Sequence, residues 1–251
     1  VLHVATYASG DLPKVLDDIN ARGYGLTCGL HSRIDQRIEH AVSALKVGNI
    51  YVNRNQIGAV VGSQPFGGEG LSGTGPKAGG PHYVARFCAQ PLGSSDVAGE
   101  SALSTQAAQA VIDKAPRHGG EMLSAQQMPG PTGESNQLRL FGRGRVLCLG
   151  PGKAAAEQQA MQAQEAGCVP IVLGGGLEPD ALASLNGFDG VVSWADRETA
   201  ARQRQALAQR DGPIVPLIME ERIAVRCLLE RHVCIDTTAA GGNAQLMAAA
   251  A

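Results

Sequence analysis

Hydrophobic and polar positions along the first fifty residues switch between short apolar runs and helical spacing. Residues 1–7 predict a strand. Asp11-Leu12-Pro13 then opens a helix through Leu16 and Ile19, with Asp11 as N-cap and Gly23 as stop. Residues 25–31 predict a second strand. Asp35 caps a helix whose Ile38, Val42 and Leu45 share one face, and Gly48 follows its end. Residues 50–52 predict a third strand. Between Gly58 and Gly80, nine of 23 positions are glycine, a density that no regular element tolerates, so this stretch reads as a long loop.

The pattern changes after residue 90. Residues 98–115 predict one Ala- and Gln-rich helix. Residues 116–144 are polar and rich in Gly and Pro, and read as a connection holding one short strand at 138–141. From Arg145 strands and helices alternate again: strands at 145–149, 169–173, 191–192, 214–217 and 233–236, with helices at 154–166, 179–185, 198–210 and 220–230 between them. Continuous apolar strands separated by helices imply a parallel sheet covered on both faces. Ile50-Tyr51-Val52-Asn53 and Val233-Cys234-Ile235-Asp236 form a weak internal repeat, each a strand running into a polar, glycine-bearing tail.

Composition narrows the classes. With 21 basic and 23 acidic residues the chain carries a formal charge of −2, which argues against a nucleic-acid binder. Hydrophobic residues at 44% allow a packed core, and with only 4% aromatics that core is aliphatic. No apolar run is long enough to cross a membrane. The start, Val1-Leu2-His3-Val4, lacks a basic n-region and reads as mid-strand, which suggests a piece of something longer rather than a secretory leader. The six Cys form no CxxC pair, and Cys148, Cys168 and Cys234 sit in or beside apolar runs, as buried reduced thiols do. Neither Cys28 with His31 nor His232 with Cys234 gives a four-ligand metal set, so no metal site is expected.

Three glycine-rich places compete for function. Gly150-Pro151-Gly152-Lys153-Ala154-Ala155 follows a strand and opens a helix, the position of a dinucleotide fingerprint. No carboxylate follows until Glu178, so the ribose partner is missing, and the Walker spacing is absent too. The alternative is a tight strand-to-helix turn. The second place, Pro65-Phe66-Gly67-Gly68 through Pro76, offers free amides to an anion and Phe66 to an apolar stem, or is a structural loop. The third, Thr237-Thr238-Ala239-Ala240-Gly241-Gly242-Asn243, carries small residues suited to lying against a neighbouring surface. The tail beyond it, with Leu246 and Met247, suggests docking rather than catalysis.

Residues 1 to about 90 resemble the C-terminal part of the aldehyde dehydrogenase catalytic module. The resemblance rests on Asn20 through Thr27, Val47-Gly48-Asn49-Ile50-Tyr51-Val52-Asn53, and Pro65-Phe66-Gly67-Gly68 to Ser72-Gly73. Asn53 through Gly62 and Gly79-Gly80-Pro81-His82-Tyr83 are similar to the semialdehyde dehydrogenases of the bifunctional proline utilization A family. The C-terminal remainder resembles the extra domain of that family's longer members. The resemblance implies an α/β chain in three parts: 1–93 from the dehydrogenase module, 94–144 a helix and connection, and 145–251 a noncatalytic Rossmann-like domain. That last part ends in a flap-like strand and a lid motif at 236–247.

The implied parent oxidises proline to glutamate, with FAD in its proline dehydrogenase part. NAD-dependent oxidation of L-glutamate γ-semialdehyde follows, in which a Cys thiolate attacks the aldehyde and a Glu base assists water. The resemblance places that Cys, that Glu and the cofactor domain outside this chain, so no catalytic and no cofactor-binding residue is expected here. It assigns Gly58 and Ala59 to the loop whose amides receive the substrate carboxylate, Phe66 to the substrate's aliphatic stem, and Thr237, Thr238, Gly241, Gly242 and Asn243 to the lid. The implied partners are the rest of a parent chain and a further copy in a homo-oligomer. The implied location is cytoplasmic, or peripheral at the inner membrane. The competing reading is a noncatalytic lid, packing and oligomerisation module.

Overall fold

The computed structural model describes residues 1–94, 102–117, 120–173 and 176–238. Strands β1 (Tyr24–Gly25), β2 (Thr27–Leu30), β3 (Asn49–Val52) and β4 (Glu69–Gly70) lie in the first part, with helices α1 (Leu12–Ala21) and α2 (Asp35–Ala44). Then come β5 (Ala102–Leu103), α3 (Thr105–Lys114), β6 (Met122–Met128), β7 (Glu134–Gly142) and β8 (Arg145–Cys148). The remainder holds α4 (Gly152–Glu165), β9 (Val169–Val172), β10 (Gly176–Leu177), β11 (Gly190–Val192), α5 (Arg197–Ala208), β12 (Leu217–Ile218) and β13 (Leu228–Asp236).

Two sheets organise these elements. The first has the order β2-β3-β13-β7-β6, parallel from β2 to β13 and antiparallel from β13 to β6. The repeat seen in the sequence becomes a pairing, because Val233, Cys234 and Ile235 lie opposite Ile50, Tyr51 and Val52. One face of this sheet presents Ile50, Val52 and Val233 to Leu16 of α1 and to Ile38, Ala41 and Val42 of α2. The second sheet has the order β12-β11-β8-β9, all parallel. Leu147 and Val191 face a core with Ile112 and Leu207, while Val146 and Val192 face another with Ala163 and Ile223. Alternate residues thus feed opposite cores, which is the doubly covered parallel sheet that the apolar runs imply.

The seam between the sheets is tight. Gly142 ends β7 so close to Gly167 that an added Cβ would lie 2.1 Å from its carbonyl oxygen. Arg143 is buried there and donates to the carbonyls of Arg226 (2.9 Å), Thr74 (2.8 Å) and Leu228 (3.1 Å). Nearby, Arg231 of β13 grips Glu69 through two hydrogen bonds of 2.9 and 2.8 Å, and its guanidinium lies 4.5 Å from the Phe141 ring centroid.

Several expected elements differ. Residues 1–7 form no strand and are exposed; no strand among the described residues pairs with them, and an unpaired alternating segment leaves its backbone to water. Asp11 makes no side-chain cap, because it already closes a 3₁₀ turn, and Asp35 is the first helical residue rather than the cap. The helix expected over 98–115 runs only from Thr105 to Lys114 behind a true cap at Ser104. Leu103 sits in a strand instead, and residues 98–101 lie outside the described residues. The expected connection at 116–144 is a hairpin, β6 and β7, and its outer strand is exposed along nearly its whole length. Residues 179–183 form a 3₁₀ turn, and the strand expected from 214 begins at Leu217. The helix expected over 220–230 is a 3₁₀ turn, Ala224–Cys227, followed by β13. Ile223 and Cys227 imitate helical spacing, but β13 gains ladder bonds from β7 and β3 on both sides. That gain exceeds a helix preference of about 0.7 kcal/mol per residue or less.

The Arg231–Glu69 grip predicts an asymmetry. Arg231→Met should lower unfolding free energy by about 3–5 kcal/mol, because it strands a buried carboxylate. Adding Glu69→Leu should recover most of the loss. Urea midpoints of the two variants check this, and equal losses in both would contradict it.

Candidate functional site

The polar side of the first sheet carries the glycine-rich loop. Asn49 and Tyr51 of β3 and Glu230, His232 and Cys234 of β13 alternate with the apolar residues that face α1 and α2, and the loop from residue 53 to residue 80 covers them. Asn49 is fully buried and works as a staple. Its Nδ2 donates to the Pro65 carbonyl (2.9 Å), and its Oδ1 accepts from the Gly67 amide (3.2 Å) and from Lys77 Nζ (2.8 Å). Lys77 Nζ also donates to the Gly67 carbonyl. Both peptide groups flanking Phe66 are therefore held, and Phe66 itself exchanges two main-chain bonds with Ala78, of 3.0 and 2.8 Å. The approach requires a glycine at position 48, where a Cβ would lie 2.0 Å from the Gly67 carbonyl oxygen.

The root of the loop is pinned as well. Glu134 of β7 accepts from Arg54 Nη1 (2.6 Å), Gln64 Nε2 (2.9 Å) and Asn136 Nδ2 (2.8 Å). Gln64 closes the loop on itself, accepting from the Val60 amide (3.1 Å) and donating its own amide to the Val60 carbonyl (2.8 Å). At the tip the Ile57 amide donates to Asn55 Oδ1 (3.1 Å). Between these engaged amides, those of Gly58 and Ala59 have no acceptor among the described residues. Gly58 is in the left-handed region at φ 73°, with open space on its Cβ side. The arrangement is a preshaped tip that presents two adjacent free donors, which suits a carboxylate.

Charge is tuned by burial beneath the loop. Desolvation pulls Lys77 down to about 7, against the pull of Glu230 and Glu69. His232 is fully buried, and among the described residues neither ring nitrogen has a well-aligned hydrogen-bond partner, the Ser63 main chain only partly offsetting the burial. Burial first, then the nearby Lys77 charge, lowers its pKa to about 4, so it is neutral near pH 7. Burial pushes the Cys148 thiol up to about 12 and the Cys234 thiol up to about 11. Among the described residues no three His, Cys, Asp or Glu gather as a metal site.

The remaining candidates fall in two places. Thr237 is buried at the end of β13 and donates its amide to the Gly133 carbonyl (2.8 Å), while Thr238 donates its amide to Asp236 Oδ1 (2.9 Å). Because β3 and β13 are parallel and in register, the Gly58–Ala59 loop and this tail leave the same end of the sheet. Gly241, Gly242, Asn243 and the tail with Leu246 and Met247 lie outside the described residues. The Gly150-Pro151-Gly152 turn is in the second sheet, and the main-chain groups of Gly150 are engaged: the Gly150 amide donates to Gln159 Oε1 (3.0 Å), and the Gly150 carbonyl accepts from Gln159 Nε2 (2.8 Å) and the Trp194 amide (2.7 Å). Trp194 also fills the crevice beside it, with Gly93 packed on its ring.

Sequence reasoning passed over Lys77, Glu134 and Glu230, and weighed His232 only as a metal ligand. The signals were a lone Lys within the glycine run, and a Glu-Arg-His run at the end of the helix expected over 220–230.

Residues 1–91 match the family model described as the aldehyde dehydrogenase family. The chain is 37% identical to the bifunctional protein PutA of Escherichia coli (strain K12), over 98% of this chain and 22% of that protein. It is 38% identical to the bifunctional protein PutA of Rhizobium meliloti, over 99% of this chain and 23% of that protein. The solved structure of proline utilization A (PutA) from Corynebacterium freiburgense superposes with a TM-score of 0.60 at 25% identity, covering 90% of this chain and 24% of that one. The chain thus spans about a quarter or less of the relatives it matches. The resemblance to proline utilization A, and with it the α/β fold of aldehyde dehydrogenase type, is borne out over nearly the whole chain.

The neutral, buried His232 predicts the pH dependence of stability. Its folded pKa is below the unfolded value, so the unfolded chain takes up the proton first. Its contribution is complete above about pH 6.5 and declines as pH falls toward 4, by about 3 kcal/mol in all. Lys77, at about 7 in the folded chain, completes its own proton uptake between pH 7 and 6, so the decline below pH 6 is the part assigned to His232. Urea unfolding from pH 7 to pH 4 should show this decline, and His232→Leu should flatten it. An unchanged slope in the variant would assign the decline to other groups.

Proposed function

We propose that this chain supplies the substrate-anchoring loop and the closing C-terminal strand of a bifunctional proline-catabolic enzyme. The site works in the NAD-dependent oxidation of L-glutamate γ-semialdehyde to glutamate. The observation that carries this reading is the loop tip, where the Gly58 and Ala59 amides are unclaimed between the engaged amides of Ile57 and Val60. In this reading those amides receive the substrate α-carboxylate, and Phe66, fixed by Asn49 and Lys77, packs on the aliphatic stem. The raised thiols of Cys148 and Cys234 make these two poor nucleophiles, and in this reading the nucleophilic Cys lies elsewhere in a longer enzyme. The spent polar groups at Gly150 support a Rossmann-like sheet that holds no NAD of its own, with NAD and FAD bound by other parts of the enzyme.

Replacing Ala59 with Leu in the full-length enzyme should obstruct the carboxylate. Loss of two charge-assisted hydrogen bonds, at about 1.5–3 kcal/mol each, should raise the apparent KM steeply for glutamate semialdehyde and little for aldehydes without a carboxylate. Equal losses on both substrates would reject the anchor role.

A lid reading of the tail has its own support in the common exit of the 53–66 loop and residue 237 from one end of the sheet. Deleting residues from Asp236 onward in the full-length enzyme should introduce a lag in NADH formation from proline. A direct assay with added semialdehyde should continue without one. No lag in the coupled assay would leave the tail without this function.

A further inference from the structure

A cavity of about 410 Å³ opens where residues 85–92 cross the carboxyl end of β12. Four of its lining residues are charged: Arg86, Arg204, Arg226 and Glu220. The charges do not balance. Glu220 Oε1 is shared by Arg86 Nη1 at 3.0 Å and Arg226 Nε at 3.4 Å, and its Oε2 accepts from the Met219 amide at 3.0 Å. Burial works against this carboxylate, yet the amide donors and Arg226 keep its pKa below the usual range, so it stays ionised. Arg226 is largely buried, and its Nε makes the 3.4 Å ion pair with Glu220 but no well-aligned hydrogen bond among the described residues. Among the described residues Arg204 donates to the thioether of Met219, at 3.0 Å, a weak acceptor.

Three guanidinium groups thus face one carboxylate across a hollow, leaving two positive charges uncompensated. The geometry points to a binding site for a phosphate group carried by a small ligand, and we propose this cavity as that site. A phosphate dianion matches the two excess charges. Its peripheral oxygens can accept from Arg204 and Arg226 at once, whereas one carboxylate brings a single charge and two oxygens. Main-chain bonds brace the rim: the Gly93 amide donates to the Met219 carbonyl (3.0 Å) and the Glu221 amide to the Pro91 carbonyl (2.9 Å).

Calorimetric titration of the 251-residue chain with inorganic phosphate at low ionic strength tests this. Saturable one-to-one binding is expected, weakened at least about tenfold by Arg204→Gln, since each charge-assisted contact is worth about 1.5–3 kcal/mol. Arg204 is exposed on α5, so circular dichroism of this variant should be unchanged. Arg226→Gln should weaken binding in the same way. Absence of saturable phosphate binding overturns the proposal, as does binding that Arg204→Gln leaves intact. A parallel titration with glutarate separates the ligand classes, and tighter binding of glutarate than of phosphate overturns the phosphate assignment.

Discussion

Strand β13 comes from the far end of the described chain and lies between β3 and β7, whose own order places them on either side of it. Everything on the loop side of the first sheet depends on that insertion. Residues 228–236 pair with nine residues of β7, and His232 through Ile235 pair with all of β3. Take β13 away and β3 loses the neighbour that supplies Glu230 to Lys77 and Cys234 to Arg54, and Arg231 no longer meets Glu69. The separation of 180 residues between Arg54 and Cys234 shows how long a loop must close before these contacts repay it. Loop-closure entropy rises only slowly with length, so nine paired residues and a buried apolar face are enough to hold it.

The two faces of this sheet solve different problems. The α1–α2 face is aliphatic and its stabilisation is non-directional, which sets the sheet's existence but not the fine position of anything above it. The loop face is built from hydrogen bonds whose partners are one or two atoms wide. Asn49 alone fixes Pro65 and Gly67, and Glu134 alone gathers Arg54, Gln64 and Asn136. Such networks cost desolvation, visible in the lowered pKa values of Lys77 and His232. In exchange the glycine-rich stretch, which has high conformational entropy of its own, is held in one shape with its tip amides presented.

The sequence was legible where local pattern and tertiary role agree. The helices α1, α2, α4 and α5 and the strands β3, β8 and β11 stand near their expected places, because each has an apolar stripe or run that packing then uses. The 58–80 stretch was legible as a long loop through glycine density, whereas Gly58 and Ala59 were singled out by the family resemblance alone. The hairpin β6–β7 was not, because Met122-Leu123-Ser124-Ala125-Gln126-Gln127-Met128 has no alternation to read: it is an exposed edge strand, fixed by its pairing with β7. β13 was half hidden for a related reason. Its Leu228-Leu229-Glu230-Arg231-His232 places charged groups between two strands. That is tolerable only because Glu230 and Arg231 find Lys77, His82 and Glu69, residues some 150 positions away. Partners at that distance leave no trace in local periodicity.

In the second sheet the turn where a dinucleotide fingerprint would stand is packed by its own side chains. Its strand order puts a change of direction beside β8, and Gly150-Pro151-Gly152 turns there into α4 with Gly150 and Gly152 at positive φ, the backbone shape that lets amides approach a phosphate. Gln159, about two turns along the same helix and fully buried, reaches back and takes both the amide and the carbonyl of Gly150. Trp194 takes the carbonyl's second position and fills the space outside. A ligand entering here would have to displace two hydrogen bonds already made in a dry site and move an indole that is pinned through Nε1 to the Glu220 carbonyl at 3.0 Å. The same indole thereby steadies the main chain at Glu220, whose carboxylate sits on the neighbouring arginine-lined hollow. Closing the turn at β8 and shaping the hollow at β12 are two consequences of one packed side chain.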